Sequence, residues 1–245
     1  MSARLTAVTA LRVINQLRRD ARTMVMLLAI PGLLMVLLRY VFDASPELFD
    51  RIGVALLAIF PFITMFLVTS VAMLRERSSG TLERLLTTPI SKLDLLLGYG
   101  VAFGIIATLQ TSLTCLVAFG LLGLDITGSI GLIVLIAVAD AGLGMALGLL
   151  VSAFATSEFQ AVQFMPAVVF PQLLLCGLFT PREAMIGWLE VASNVMPLSY
   201  AVEALNEIAR NTAVTGLFWR DLSLVAVLIV VSLGLAAATL RRRTP

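Results

Sequence analysis

Apolar residues in this chain gather into long unbroken runs separated by short polar passages. Six runs cover residues 24–42, 52–74, 95–124, 130–154, 161–179 and 222–240. A half-buried strand would alternate apolar with polar positions. Unbroken runs that reach the roughly 17–25 residues a span requires instead predict bilayer-crossing helices, which satisfy their own backbone in lipid. The third run is the longest and is expected to tilt or protrude. Pro31, Pro61, Pro166 and Pro171 lie inside runs, where proline supplies points of bending.

Ahead of the first run, residues 3–22 place Arg4, Arg12, Arg18, Arg19 and Arg22 within a sector of about 120° at helical pitch. Val13, Ile14 and Leu17 take the other side, although Leu5, Val8 and Leu11 intrude among the arginines. The segment is an interfacial helix along anionic headgroups or a plain basic flank that sets orientation. A cleaved signal peptide is not expected, because the basic part is long and no small-residue cleavage site follows the apolar run.

One long charged passage, residues 75–94, separates the second and third runs. It reads RERSSGTLERLLTTPISKLD and holds four of the 17 Lys and Arg residues. Gly80 ends the helix before it, since glycine adopts backbone angles other residues avoid. From Thr81 to Thr88 the chain makes about two helical turns, with Leu82, Leu85 and Leu86 on one face and Glu83 and Arg84 on the flanks. Pro89 stops that helix. Ser91-Lys92-Leu93-Asp94 has the form of a capping box opening the next one. The expectation is a short amphipathic helix held between two membrane helices.

The connection from residue 181 to 221 sets Met185, Ile186, Trp188 and Leu189 among Glu183, Glu190, Glu203 and Glu207, with Pro197 in its middle. Two short amphipathic helices in the outer leaflet or an ordinary surface loop both fit. Trp188, Tyr200 and Trp219 suit an interfacial belt.

Composition narrows the class. Hydrophobic residues make up 60% of the 245, and charged residues only 13%; a soluble domain carries about 25% charge. The prediction is an all-α membrane protein, one domain over residues 1–245 with six transmembrane helices. The net charge of +2 says little, but its distribution decides orientation. Twelve positive residues fall on the N-terminal arm, the 75–94 passage and the tail at residues 241–243. Arg39, Arg51, Arg182, Arg210 and Arg220 fall on the other side. Positive residues mark the cytoplasmic side, so both termini and the charged passage are expected there.

The chain has no histidine, which excludes His-based metal sites and Ser-His triads. Its one lysine, Lys92, follows Ile-Ser and no glycine-rich loop, so it holds no Walker A motif. An enzyme is not expected, and any ATP must be bound by another chain. Asp140 is the one carboxylate deep in an apolar run; insertion of such a charge costs about 2.5–3.5 kcal/mol. It is a polar point of a transport path, a proton-linked site or a packing residue. Gly144 and Gly148 form a GxxxG pair suited to close helix packing. Gly100, Gly104, Thr108 and Ser112 recur every four residues, with Gln110 and Thr111 alongside, as a packing stripe or a substrate-lining face. Gln160 and Gln163 form a further polar patch at a possible inner entrance. Cys115 and Cys176 both lie in apolar runs, where cysteine behaves as a small apolar residue, so no disulfide framework is expected.

RERSSGTLERLLTTPI resembles the segment after the second membrane helix of ABC-2 type transporter permeases, in particular the daunorubicin-resistance-like export permeases. Glu76, Gly80, Thr81, Glu83, Leu86 and Pro89 carry the match, and Met196-Pro197-Leu198-Ser199-Tyr200 is a second patch. The resemblance implies a cytoplasmic coupling helix that docks on an ABC ATPase subunit, with Glu76, Glu83 and Arg84 making polar contacts and Leu82, Leu85 and Leu86 filling its groove. It also implies a re-entrant external segment between the fifth and sixth helices that includes Pro181, Trp188, Pro197 and Tyr200. Thr108, Thr111, Ser112, Asp140, Gln160 and Gln163 are the candidate pathway residues. The implied protein is the membrane subunit of an ATP-driven exporter in the bacterial plasma membrane, moving an amphipathic drug, lipid or glycolipid. A second permease subunit, identical or similar, would complete the pathway; ATP and Mg belong to the partner, and no nucleic acid is involved. The rival expectation is a self-sufficient proton-coupled transporter or channel using Asp140, and a third is a non-transporting scaffold.

Overall fold

The computed structural model describes residues 2–81 and 91–239, and those residues contain helices and no strand. The helices are α1 (Ala3–Arg19), α2 (Ala21–Val41), α3 (Pro46–Ser78), α4 (Lys92–Cys115), α5 (Ile130–Val151), α6 (Glu158–Leu175), α7 (Gly187–Val195), α8 (Pro197–Arg210) and α9 (Gly216–Thr239). A π-helical stretch, Leu116–Leu121, extends α4, and a single 3₁₀ turn, Arg182–Ala184, precedes α7. Among the described residues, five helices are long and apolar enough to cross a membrane: α2, α3, α4 with its π extension, α5 and α9. The fifth expected span corresponds to α6, which is not one of these five. It is shorter than the run that suggested it, and it carries Glu158, Gln160, Gln163 and Gln172 along with two prolines.

Local chemistry sets the helix ends. The basic N-terminal helix stops at Arg19, three residues before the expected end. Asp20 interrupts it because its carboxylate accepts the Thr23 amide at 3.1 Å and the Thr23 hydroxyl at 2.6 Å, capping α2. These bonds hold the Asp20 carboxyl below its ordinary pKa, the hydroxyl contributing most. Arg22 therefore belongs to α2. Helix α3 starts on Pro46, where a missing N–H costs nothing, and ends at Ser78, with Ser79 as its cap and the left-handed exit at Gly80, φ 69°. Ser91 caps α4 by accepting the Asp94 amide at 3.0 Å. Pro197 does break the connection from residue 181 to 221, as the first residue of α8. Helix α9 begins at Gly216, so Trp219 and Asp221 lie in its opening turns and not in the connection before it.

The centre of the molecule is the seam between α3 and α5. A Cβ on Gly144 would lie 2.4 Å from the Phe62 carbonyl oxygen, and one on Gly148 would lie 2.2 Å from Thr69 Oγ1 and 2.4 Å from the Phe66 carbonyl oxygen. The two backbones touch, as the GxxxG spacing suggested. The Thr69 hydroxyl donates within its own helix to Met65 O at 2.7 Å and also lies 3.2 Å from Met145 O across the seam. Phe62, Phe66, Ile136 and Leu143 are fully enclosed around it. Helix α8 packs into this core through Leu198, Ala201, Val202, Leu205 and Ile208. It is thus a core element, in contrast to α7, whose Trp188 and Val191 are exposed. The loop before α5 closes over the end of α8: the Thr127 amide and hydroxyl both donate to Ala209 O, at 3.0 and 2.6 Å.

Candidate coupling site at the ends of α3 and α4

Residues 82–90 lie outside the described residues, and with them the expected docking residues Leu82, Glu83, Arg84, Leu85, Leu86 and Pro89. The structure does describe what flanks them, and a single element, α1, grips both sides.

On the α4 side the grip is steric and polar. The Ser2 amide donates to Asp94 Oδ1 at 3.0 Å, while the Ser91 hydroxyl donates to Oδ2 at 2.7 Å. Asp94 is 3% exposed and so both fastens the start of α1 and completes its own helix cap. One turn on, Gly98 forms a notch for Thr9, and a Cβ there would lie 2.5 Å from Thr9 Cβ. Ala10 and Val13 extend the contact, packing against Leu95 and Tyr99 in one apolar cluster.

On the α3 side the grip is ionic. Arg12 Nη2 donates to Glu76 Oε1 at 3.0 Å and to Tyr99 Oη at 2.7 Å. One guanidinium thus joins α1, the last turns of α3 and the second turn of α4. Glu76 is only 6% exposed, so the carboxylate expected to face a partner is turned into the protein. Next to it, Arg75 pairs with Glu158 at the start of α6 through two bonds of 2.8 and 3.1 Å, in the open. Gly80 and Thr81 follow, with the Thr81 and Ser79 hydroxyls 2.9 Å apart.

The six candidate pathway residues do not converge. Thr108 and Ser112 face outward from α4, and the Thr108 hydroxyl is spent on Gly104 O at 2.8 Å. A Cβ on Gly100 would lie 3.9 Å from Met145 Cε of α5, while one on Gly104 would meet nothing within 4 Å among the described residues, so the small-residue stripe leaves its neighbour helix after Gly100. Thr111 and Asp140 are fully buried, and neither the Thr111 hydroxyl nor either Asp140 oxygen has a hydrogen-bond partner among the described residues. The Gln160 side chain accepts the Thr156 amide and hydroxyl, both at 2.8 Å, closing the turn into α6, while Gln163 is exposed. Cys115 and Cys176 are buried and unpaired.

At the other end of α3 the 181–200 segment is held by a second polar cluster. Arg182 bonds Glu203 and Asn194, and its guanidinium lies 5.5 Å from the centre of the Tyr200 ring. Arg220 bridges Glu203 at 3.4 Å and Asp221 at 2.8 Å. Pro181 and Trp188 stay exposed at the surface of this segment; Pro197 and Tyr200 are half-buried. Sequence reasoning recognised neither cluster. Arg12 and Tyr99 are 87 residues apart, and nothing local to either announces the pairing. The one available signal was that Arg12 lies at the very edge of the basic sector, next to the apolar face.

A profile of the ABC-2 type transporter family matches residues 4–209. Probable multidrug ABC transporter permease YbhR of Escherichia coli (strain K12) is 26% identical over 189 residues, 77% of this chain and 51% of that protein. Inner membrane transport permease YhhJ of the same strain is 29% identical over 175 residues, 70% of this chain and 47% of that protein. ABC transporter G family member 20 of Dictyostelium discoideum is 27% identical over 190 residues, 78% of this chain and 26% of that protein. The chain thus spans about half or less of the length of the relatives it matches. The matched residues include nearly all of α1 and α8 and both flanks of the 82–90 segment, and on that ground the chain belongs to the ABC-2 type transporter family.

Proposed function

We propose that this chain is the membrane-spanning permease subunit of an ATP-driven exporter and that residues 81–88 are its docking helix for a separate ATPase subunit. The observation that carries the reading is the double grip of α1. A force applied to a short segment tethered only by its own chain ends would be lost in local bending. Here the residues before and after the segment are fastened to one helix, by Arg12 to Glu76 and by Ser2 and Thr9 to Asp94 and Gly98. Displacement of the segment is thereby passed to α1, α3 and α4 together. Through the α3–α5 seam it reaches the core that α8 also packs on.

In this reading the chain crosses the bacterial plasma membrane six times, with α6 as the fifth span and both termini cytoplasmic. The segment from Pro181 to Tyr200 lines the outer exit. ATP and Mg are bound by the ATPase, and two permease subunits enclose the path of an amphipathic substrate. Asp140 is a packing or pathway group; family membership does not favour a self-sufficient proton-driven transporter.

The test is coupling. In proteoliposomes holding the permease with its ATPase, Glu83→Arg combined with Leu85→Asp is expected to leave membrane insertion intact and to uncouple ATP hydrolysis from export. Undiminished coupled export by that variant would remove the docking assignment.

A further inference from the structure

We propose that the outward face of the α1–α2 junction, built on Arg18, Arg19 and Arg22, is a docking surface for anionic phospholipid. The surface gives α1, the helix that grips both flanks of residues 82–90, a footing in the bilayer. It follows from the membrane-spanning fold whether or not the chain exports.

The charge at the junction is uncompensated. Helix α1 contains four arginines and neither Asp nor Glu. Arg12 is committed to Glu76. Arg18, Arg19 and Arg22 are exposed, and none of them forms an ion pair among the described residues. Arg39, Arg75, Arg182 and Arg220, by contrast, each meet a carboxylate. Asp20 lies among the three in sequence, but its oxygens accept the Thr23 amide and hydroxyl. One carboxylate so engaged cannot hold three guanidinium groups, and a net positive charge stays open to the surroundings.

The height of that charge is set by α2. This helix is long and apolar enough to cross a membrane, and it leaves Val25, Met26, Ile30, Leu33 and Leu37 exposed along its length. Arg22 stands one turn before Met26 and so marks the level at which the apolar stripe begins; Arg18 and Arg19 lie a few residues earlier. In a bilayer that is the headgroup level, where an arginine lays its methylenes on apolar surface and turns its guanidinium to the phosphates. The planar fork of the guanidinium matches phosphate oxygens bidentately. A soluble acidic partner would match the charge but not the apolar stripe that continues from it.

The structure also decides which face of α1 is free. Val13, Ile14 and Leu17, the apolar side of the sequence pattern, are taken up in the cluster with α4. The side left open carries Arg4, Arg18 and Arg19 together with Val8 and Leu11, which are 57% and 60% exposed. Aliphatic side chains interleaved with unpaired arginines suit the boundary between headgroups and acyl chains. Val8 and Leu11, which break the amphipathic pattern, thus belong to the surface that meets lipid.

The test reads lipid preference at one site. Cys115 and Cys176 are buried, so a thiol-reactive bimane fluorophore reports on a single introduced cysteine. Met26→Cys is labelled in proteoliposomes of phosphatidylcholine holding rising fractions of a quencher lipid, either phosphatidylglycerol or phosphatidylcholine, spin-labelled close to the headgroup. An arginine at an anionic surface is worth roughly a fivefold gain, so half-quenching should need at least about threefold less phosphatidylglycerol than phosphatidylcholine. Val230→Cys, exposed in the middle of α9, should show no preference. Arg18→Gln, Arg19→Gln and Arg22→Gln combined should erase the preference at Met26→Cys, with quenching by phosphatidylcholine unchanged because the stripe still faces lipid. Salt at about 1 M, which screens charges beyond about 3 Å, should erase it with all three arginines in place. Quenching by neither lipid would mean that protein covers the face and would overturn the assignment. So would equal quenching by both, an equal preference at Val230→Cys, or a preference that survives the triple variant or the salt. The assay needs neither ATP nor the ATPase, so its outcome is separate from that of the coupling test.

Discussion

The two ends of α3 carry polar clusters built from the same ingredients. Near residue 76 an arginine meets a buried glutamate and a tyrosine hydroxyl; at the opposite end Arg182 meets Glu203 and the face of Tyr200. The difference lies in what they connect. Arg12 reaches across 64 and 87 residues of sequence and joins three helices, whereas Arg182 and Glu203 are 21 residues apart and fasten a local segment to α8. The second cluster is also redundant, because Arg220 holds Glu203 if Arg182 lets go. A carboxylate with one cationic partner ties its elements rigidly, while one shared between two cations permits exchange. The end of α3 near residue 76 is built as a strut and the opposite end as a catch.

Substitutions at and between the two ends should separate these roles. The largest effect is expected at their common support, the α3–α5 seam. Gly148→Leu drives a side chain into backbone atoms that a Cβ alone would approach to 2.4 Å. Overpacking costs about 1–3 kcal/mol where side chains can shift, and here it exceeds that range because two helix backbones must part. The variant should show the deepest fall in thermal midpoint of the purified protein in detergent, and both clusters should lose their protection from exchange together.

Arg12→Ala comes next, since it strands the Glu76 carboxylate in a buried place. Breaking a buried pair costs about 3–5 kcal/mol; Arg12 is itself 34% exposed, so the low end is expected. Denaturant unfolding measures the loss, and hydrogen exchange should rise in α1 and the last turns of α3 but not in α7. Protection lost equally at both ends would contradict the strut. Arg182→Ala should cost less, about 1–2 kcal/mol, because Arg220 remains; leaving a charged hydrogen bond unmade has that order of effect. Limited proteolysis within residues 181–196 should speed up while α1 stays protected. Arg75→Ala should be smallest. The pair with Glu158 is 62% and 51% exposed, and such surface pairs contribute at most about 1 kcal/mol. A midpoint shift rivaling that of Arg12→Ala would show that α6, and not α1, braces the end of α3.

Much of this architecture was legible before any coordinates. Unbroken apolar runs foretold the long helices, Gly80 and Ser91 marked where α3 stops and α4 starts, and Gly144 with Gly148 announced a seam, because each depends on chemistry within a few residues. One local reading reaches too far: the basic stripe read through Arg22 is cut at Asp20, which with Thr23 forms a cap that ends one helix and opens another. The run at 161–179 does form a helix, one that stops at Leu175 and carries four polar side chains.

What the sequence determined by itself is therefore the class, the periodicity and the punctuation: a helical membrane protein of the ABC-2 type, broken at known places. Only the tertiary structure decided that Glu76 looks inward, that α8 belongs to the core, and that Arg12, Tyr99 and Asp94 meet around one N-terminal helix. Helix formation is settled by neighbours three or four positions away. The partner of a buried charge is settled by which distant helix happens to bring a guanidinium within about 3 Å, the reach of a hydrogen bond, and no local pattern encodes that.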